Sequence, residues 1–172
     1  METKSIFMPS SYSFDVVSSF DQQELVNAID QLRREVEQRY DLKDSKTKID
    51  IKEDELSIVS LSDMTIESVK DILLQKATKR NLSLKIFDFK NIESIGGNMV
   101  MQIVILKKGL SQEISKKLSK LVRDNLKKVT ASIQGDRLRI TGKNKDDLQS
   151  AINLIKTYEE NLDIAIQFQN YR

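Results

Sequence analysis

Apolar positions along the chain switch between a period of two and a period near 3.6, and the whole series of switches occurs twice. Residues 13–18 (SFDVVS) predict a strand, and Leu25, Ile29, Leu32 and Val36 stripe one face of a helix over 21–39. Asp21 with Glu24 three residues on suggests a capping box at its start. Ile49 and Ile51, then Leu56 and Ile58, alternate as a hairpin around Glu53-Asp54. Asp63 is the predicted cap of a second helix carrying Ile66, Val69, Ile72 and Leu73, and a short strand is expected over 84–89. The series then restarts. Residues 99–106 (MVMQIVIL) predict a strand, and Ile114, Leu118, Leu121 and Val122 stripe a helix. Ala131 and Ile133 face Leu138 and Ile140 across a Gly135-Asp136 turn, and Asn144 caps a helix with Leu148, Ala151, Leu154 and Ile155. Ile164, Ile166 and Phe168 close the pattern.

The two series superimpose without a gap at an offset of 82 residues, which lays Ile51 on Ile133, Leu56 on Leu138, Ile66 on Leu148 and Leu84 on Ile166. The first helices align at an offset of 89, so the first copy has the longer helix and following loop. This reads as an α+β fold made by tandem duplication of a ferredoxin-like βαββαβ unit, with antiparallel sheets and helices on one face of each. The boundaries that follow are 1–98, including a leader over 1–11, and 99–172, with Asn91 to Asn98 as linker and Gly96-Gly97 as its flexible point. Strand 99–106 is apolar on both faces, which suits either a covered central strand or, the reading preferred from the sequence, one lying where the halves meet.

Charge sharpens the difference between the copies. The net +2 conceals an excess of four acids in 1–98 and of six bases in 99–172, which favours a polyanionic partner for the second copy. The helix over 111–126 adds a basic stripe of Lys116, Lys120, Arg123 and Lys127, which reads either as a solubilising face or as a track for a nucleic-acid backbone. The chain has no Cys, so disulfides and thiolate chemistry are excluded, and no His, which removes the commonest general base and metal ligand. No apolar run has the length of a membrane span and no secretory signal core is present, so a cytoplasmic protein without a membrane partner is expected.

Candidate chemistry lies on the open sheet face. Leu138 and Ile140 point to the helices, so Arg137, Arg139 and Thr141 point outward, joined by Ser132 and Gln134 from the neighbouring strand. Guanidinium forks suit phosphate oxygens, and an amide suits a base edge or sugar. The third strands, 55–60 and 137–142, contain no aromatic, which argues against the base stacking typical of RNA-recognition motifs. Gly142-Lys143 before a helix resembles an anion-binding turn, but six residues separate Gly135 from Gly142 and Asn144 follows the lysine, so it is not a nucleotide-hydrolase loop. No nucleophile has an activating base in view, and Asp146-Asp147 are explained by their place in a first helical turn, so neither an enzyme nor a cofactor is expected.

The stretches SFDVVSSFD at 13–21, REVEQRYDLK at 34–43 and QGDRLRITGKNKDDLQ at 134–149, with QFQNYR at the end, are together similar to the YajQ family of bacterial nucleotide-binding proteins. The resemblance runs from about residue 12 to Arg172 and implies two ferredoxin-like units whose first strands are exchanged, 13–18 pairing in the second sheet and 99–106 in the first. It implies binding of a nucleotide, with cyclic dinucleotides and RNA among the ligands, and no known catalysis. Carried over by position, its polar residues are Asp15, Arg34, Arg39, Asp41 and Lys43, then Gln134, Arg139, Thr141, Gly142, Lys143, Asp147 and Gln149, then Gln167, Asn170 and Arg172. The chain departs from the family pattern at Tyr40, Leu42 and Tyr171, where Phe is usual, and at Lys145, where Arg is usual. Met8-Pro9-Ser10 resembles the family's start, so Met8 is the expected initiator. The expected site is Arg139, Lys143, Gln134 and Thr141, with Arg34, Arg39 and Arg172, used together with a groove between the units. A protein-docking regulatory module is the alternative.

Overall fold

A computed structural model describes residues 11–172; the expected start at Met8 lies outside the described residues. The strands are β1 (Tyr12–Val17), β2 (Lys48–Lys52), β3 (Glu55–Ser60), β4 (Phe87–Ile95), β5 (Met99–Leu106), β6 (Val129–Gln134), β7 (Arg137–Gly142) and β8 (Gln167–Gln169). The helices are α1 (Gln22–Gln38), α2 (Asp63–Lys79), α3 (Gln112–Asn125) and α4 (Lys145–Tyr158). Two four-stranded sheets result, ordered β2-β3-β5-β4 and β6-β7-β1-β8, and every pairing is antiparallel. The fold is α+β with two tandem ferredoxin-like units.

The compact units are cut differently from the repeat. A contiguous unit runs Phe20–Lys108, and a split unit joins the chain up to Ser19 to Gly109–Arg172. The boundary at 98/99 read from the duplication therefore falls inside the β4–β5 hairpin, where Ile95 pairs with Met99. Asn91 to Ile95 are strand, so Gly96-Gly97 is a hairpin turn, with Gly97 at φ 73°, and not a linker. Counted over these units the charge asymmetry shrinks, to 13 bases against 10 acids in the split unit and 15 against 16 in the contiguous one.

In the contiguous unit, Leu56 and Ile58 of β3, Val104 and Leu106 of β5, Leu25, Ile29 and Leu32 of α1, and Ile66, Val69, Ile72 and Leu73 of α2 are all buried. Burying this apolar face is what holds helix to sheet. The doubly apolar β5 is an interior strand between β3 and β4; Val104 and Leu106 are buried, while Ile103 and Ile105 on its other face are partly exposed. Residues 84–86 form a 3₁₀ turn ahead of β4, where a strand was expected. Helix α2 is capped by Ser62 rather than Asp63. The Ser62 hydroxyl accepts from the Thr65 N–H at 3.2 Å, and the Thr65 hydroxyl accepts from the Ser62 N–H at 3.2 Å. Ser62→Ala is expected to cost about 1 kcal/mol in chemical denaturation, the usual effect of losing an N-cap.

The split unit has its own core. Phe14 and Val16 of β1, Leu138 and Ile140 of β7, Leu118 and Val122 of α3, and Leu148, Ala151 and Ile155 of α4 pack together. The alternation that sends Phe14 and Val16 to the helices sends Asp15, between them, to the other side of the sheet. Among the described residues, no helix is long and apolar enough to cross a membrane.

Candidate functional site on the open face of the split unit

Asp15 is a carboxylate at the centre of the sheet, yet only 1% of it is exposed. In register it stands opposite Arg139 of β7 and Gln169 of β8. Arg139 donates through Nε at 3.0 Å, Arg137 through Nη1 at 3.2 Å, and Asn170 through Nδ2 at 2.8 Å, so three side chains cover it. Burial alone would push this carboxyl up. The hydrogen bonds from Arg139, Asn170 and Arg137, with the charge of Arg139, overcome that and hold it at about 2. The same bond and charge push Arg139 up.

A local irregularity at the chain end supplies the third donor. Past the Asp15–Gln169 pair, Ser13 exchanges two backbone hydrogen bonds with Arg172, at 3.1 and 2.9 Å. Two steps along β1 thus correspond to three along the terminal segment, which is a β-bulge. The extra residue is Asn170, with φ 56°, a conformation Asn tolerates better than most side chains do. The bulge aims the Asn170 amide at Asp15.

Around this anchor the strands lay out a polar surface. Gln134 pairs with Arg137, Ser132 with Arg139, Thr130 with Thr141, and Ser13 with Thr141 on the other side. The side chains of Arg137 and Arg139 are 37% and 30% exposed. Each spends a single donor atom on Asp15, and the pair with its carboxylate keeps a net positive charge. Lys143 is exposed just beyond β7. Gly142 does not serve as a loop glycine: it is buried at the end of β7, where a Cβ would stand 3.1 Å from Val129 Cγ1 and 3.3 Å from Leu148 Cδ2. Asn144 accepts from the Asp147 N–H at 2.9 Å and caps α4, so that part of the Gly-Lys turn is ordinary helix initiation.

The expected residues divide between the units. Arg139, Thr141, Gln134, Lys143 and Arg172 belong to the split unit, and Arg34 and Arg39 to the contiguous one. Arg39 is committed to Asp41, donating at 2.8 and 3.0 Å, and to Glu35 at 3.5 Å; these partners push it up. Arg34 is exposed on α1. Arg137 and the anchoring role of Asp15 were missing from the expected set. The strand parity that placed Arg137 outward was their signal, but a partner more than 120 residues away cannot be read from local pattern. Among the described residues, no group of acids is placed to hold a metal ion.

A family model described as Nucleotide-binding protein YajQ-like matches residues 12–172. A nucleotide-binding protein of Prochlorococcus marinus strain NATL1A is 92% identical over 165 residues, covering 96% of this chain and 100% of that protein. Nucleotide-binding proteins of Synechococcus sp. strains CC9605 and JA-3-3Ab are 66% and 55% identical over the same 96% of this chain and 100% of their own lengths.

Proposed function

The chain belongs to the YajQ-like nucleotide-binding protein family, and we propose that it binds RNA without catalysis, holding successive phosphates on the open face of its split unit. The observation that carries this reading is the buried Asp15. By fixing two guanidiniums it removes the rotamer entropy that binding would otherwise cost, and it leaves most of their donors unspent. Bidentate donors on a rigid strand suit phosphate oxygens better than a flexible ammonium does. Arg137 and Arg139 lie two residues apart on one strand, hence about 7 Å, and the row of Gln134, Ser132 and Thr130 runs beside them. An extended row of donors on an open face fits a phosphodiester chain better than a compact free nucleotide. A cyclic dinucleotide is the smaller ligand that would use the same forks. The absence of His and Cys from the whole chain supports binding without chemistry.

Arg139→Ala tests the reading. It is expected to weaken binding of a short single-stranded RNA about tenfold, since hydrogen bonds to charged groups contribute about 1.5–3 kcal/mol each. The slope of log K against log salt should become shallower by about 0.7, the share of one single-strand phosphate. Arg137 and Asn170 still satisfy Asp15 in this variant, so its melting temperature should fall by only a few degrees. Lys143→Ala, at an exposed position just beyond β7, serves as the second variant. Unchanged RNA affinity in both would end the assignment and leave docking of a protein partner as the reading to pursue.

A further inference from the structure

The helix side of the split unit carries a separate hollow of about 410 Å³, between the start of β1, the first turns of α4 and the chain end. Leu148 and Ile152 of α4, both 7% exposed, give it an apolar floor. Tyr12 and Tyr171 add two aromatic rings, and the exposed Lys145 and Arg172 add two cations. Lys145 Nζ stands 5.5 Å from the centroid of Tyr12, and the Tyr171 ring packs 6.0 Å from that of Phe14, so one cation and one ring are positioned by contacts inside the unit. Among the described residues, neither Lys145 nor the Arg172 side chain is joined to an acidic side chain. The hollow beside Arg33 lacks this combination, because its guanidinium is spent on the Ile49 carbonyl at 3.1 Å and on Asp30 at 3.3 Å.

We propose that this hollow is a binding site for a single nucleoside monophosphate, with the base on Leu148, Ile152 and Tyr171 and the phosphate at Lys145 and Arg172. Its volume falls at the small end of the range for small-molecule pockets, which is roughly 300–1,000 Å³, a size that suits one nucleotide. An apolar floor with aromatic rings takes the face of any base, because every base has a π-face, and a cation beside the rings takes the anionic end. The choice of a nucleotide as occupant rests on the nucleotide-binding reading above. The place does not: Tyr12 follows Phe14 and Val16 to the helix side of β1, whereas Arg139 lies on the other side with Asp15.

The test is a calorimetric titration of the full chain, freed of nucleic acid, with AMP, GMP, CMP and UMP, run beside a short single-stranded RNA. Tyr171→Ala is expected to weaken mononucleotide binding about tenfold, within the range for loss of one base–aromatic stack, and Lys145→Ala about tenfold, as for loss of one hydrogen bond to a charged group. Tyr171 is 62% exposed and Lys145 is on the surface, so both variants should fold; Gln149→Trp, which narrows the hollow from its rim, should have the same effect. Arg139→Ala should leave mononucleotide affinity within about twofold while it weakens RNA. No mononucleotide binding by the wild type, with RNA still sensitive to Arg139, would overturn this site and leave the open-face reading standing. Mononucleotide binding lost in Arg139→Ala and kept in Tyr171→Ala and Lys145→Ala would overturn it as well, and move the nucleotide to the open face. Mononucleotide binding lost only in the hollow variants, with RNA indifferent to Arg139, would support the site and remove the open-face reading.

Discussion

A fragment spanning residues 20–108 is expected to fold cooperatively by itself, whereas residues 99–172 alone are expected to remain unfolded. The contiguous unit contains all four strands of its sheet and both of its helices. Its first strand in the ferredoxin-like order is β5, delivered by a hairpin from β4, so no segment from outside is missing. Residues 99–172 lack β1, which stands between β7 and β8 and contributes Phe14 and Val16 to the core. Without it β7 loses one partner, β8 loses the only one it has among the described residues, and the helices lose the centre of the surface they cover. Residues 99–106 meanwhile bring an apolar strand with no sheet to join, a recipe for aggregation. The remedy is local. The Gly109 N–H donates to the Ser18 carbonyl at 2.7 Å, so the end of β1 lies beside the start of the remaining segment. Residues 11–19 joined by a short Gly/Ser linker to 109–172 should recover a cooperative unfolding transition. Circular dichroism during urea titration reads all three fragments. A cooperative transition for 99–172, or none for 20–108, would contradict the strand assignment.

That fragment boundary shows where the sequence was legible and where it was not. Among the described residues, periodicity located the four α-helices and most strands, because each element buries one face against the core of its unit and so must repeat its apolar positions. It could not say which copy owns a first strand. β1 and β5 fill the same place in identical topologies, and the residue-level trace of the exchange was the doubly apolar character of β5; the exchange itself entered only through the family resemblance. The polar run after Phe89 read as a linker because β4 carries a register shift between Phe89 and Ile92 that breaks its alternation. The buried Gln102 side chain donates to the Lys90 carbonyl at 2.9 Å inside that irregularity, a bond no local pattern announces. On the open face, parity placed Arg137 and Arg139 outward. Their common partner, and the hollow that joins Tyr12 to Tyr171 from opposite ends of the chain, exist only once β1 has been inserted beside β7 and β8.

Asp15→Ala is expected to lower the melting temperature of the split unit by about 10–20 °C, through a loss of about 2–3 kcal/mol. The substitution removes one acceptor from three donors and leaves two guanidiniums side by side on a strand. Arg137 and Arg139 are partly exposed and can turn to water, which keeps the loss below that of breaking a fully buried pair. The pH dependence isolates the electrostatic part. The carboxyl of Asp15 lies at about 2 in the folded protein against an ordinary value of 3.8, a depressed group, so its contribution is fully present above about pH 4 and is lost as pH falls toward 2. At 1.36 kcal/mol per unit that contribution is about 2 kcal/mol. Asp15→Asn keeps the shape and an acceptor oxygen but cannot titrate. Its stability deficit relative to wild type should therefore be near 2 kcal/mol at pH 7 and should shrink toward zero between pH 4 and pH 2. Urea denaturation of the two proteins across that window gives the answer directly. A deficit that stays constant down to pH 2 would mean that Asp15 holds the two arginines by shape and hydrogen bonding alone, and would remove charge as the source of their fixed positions.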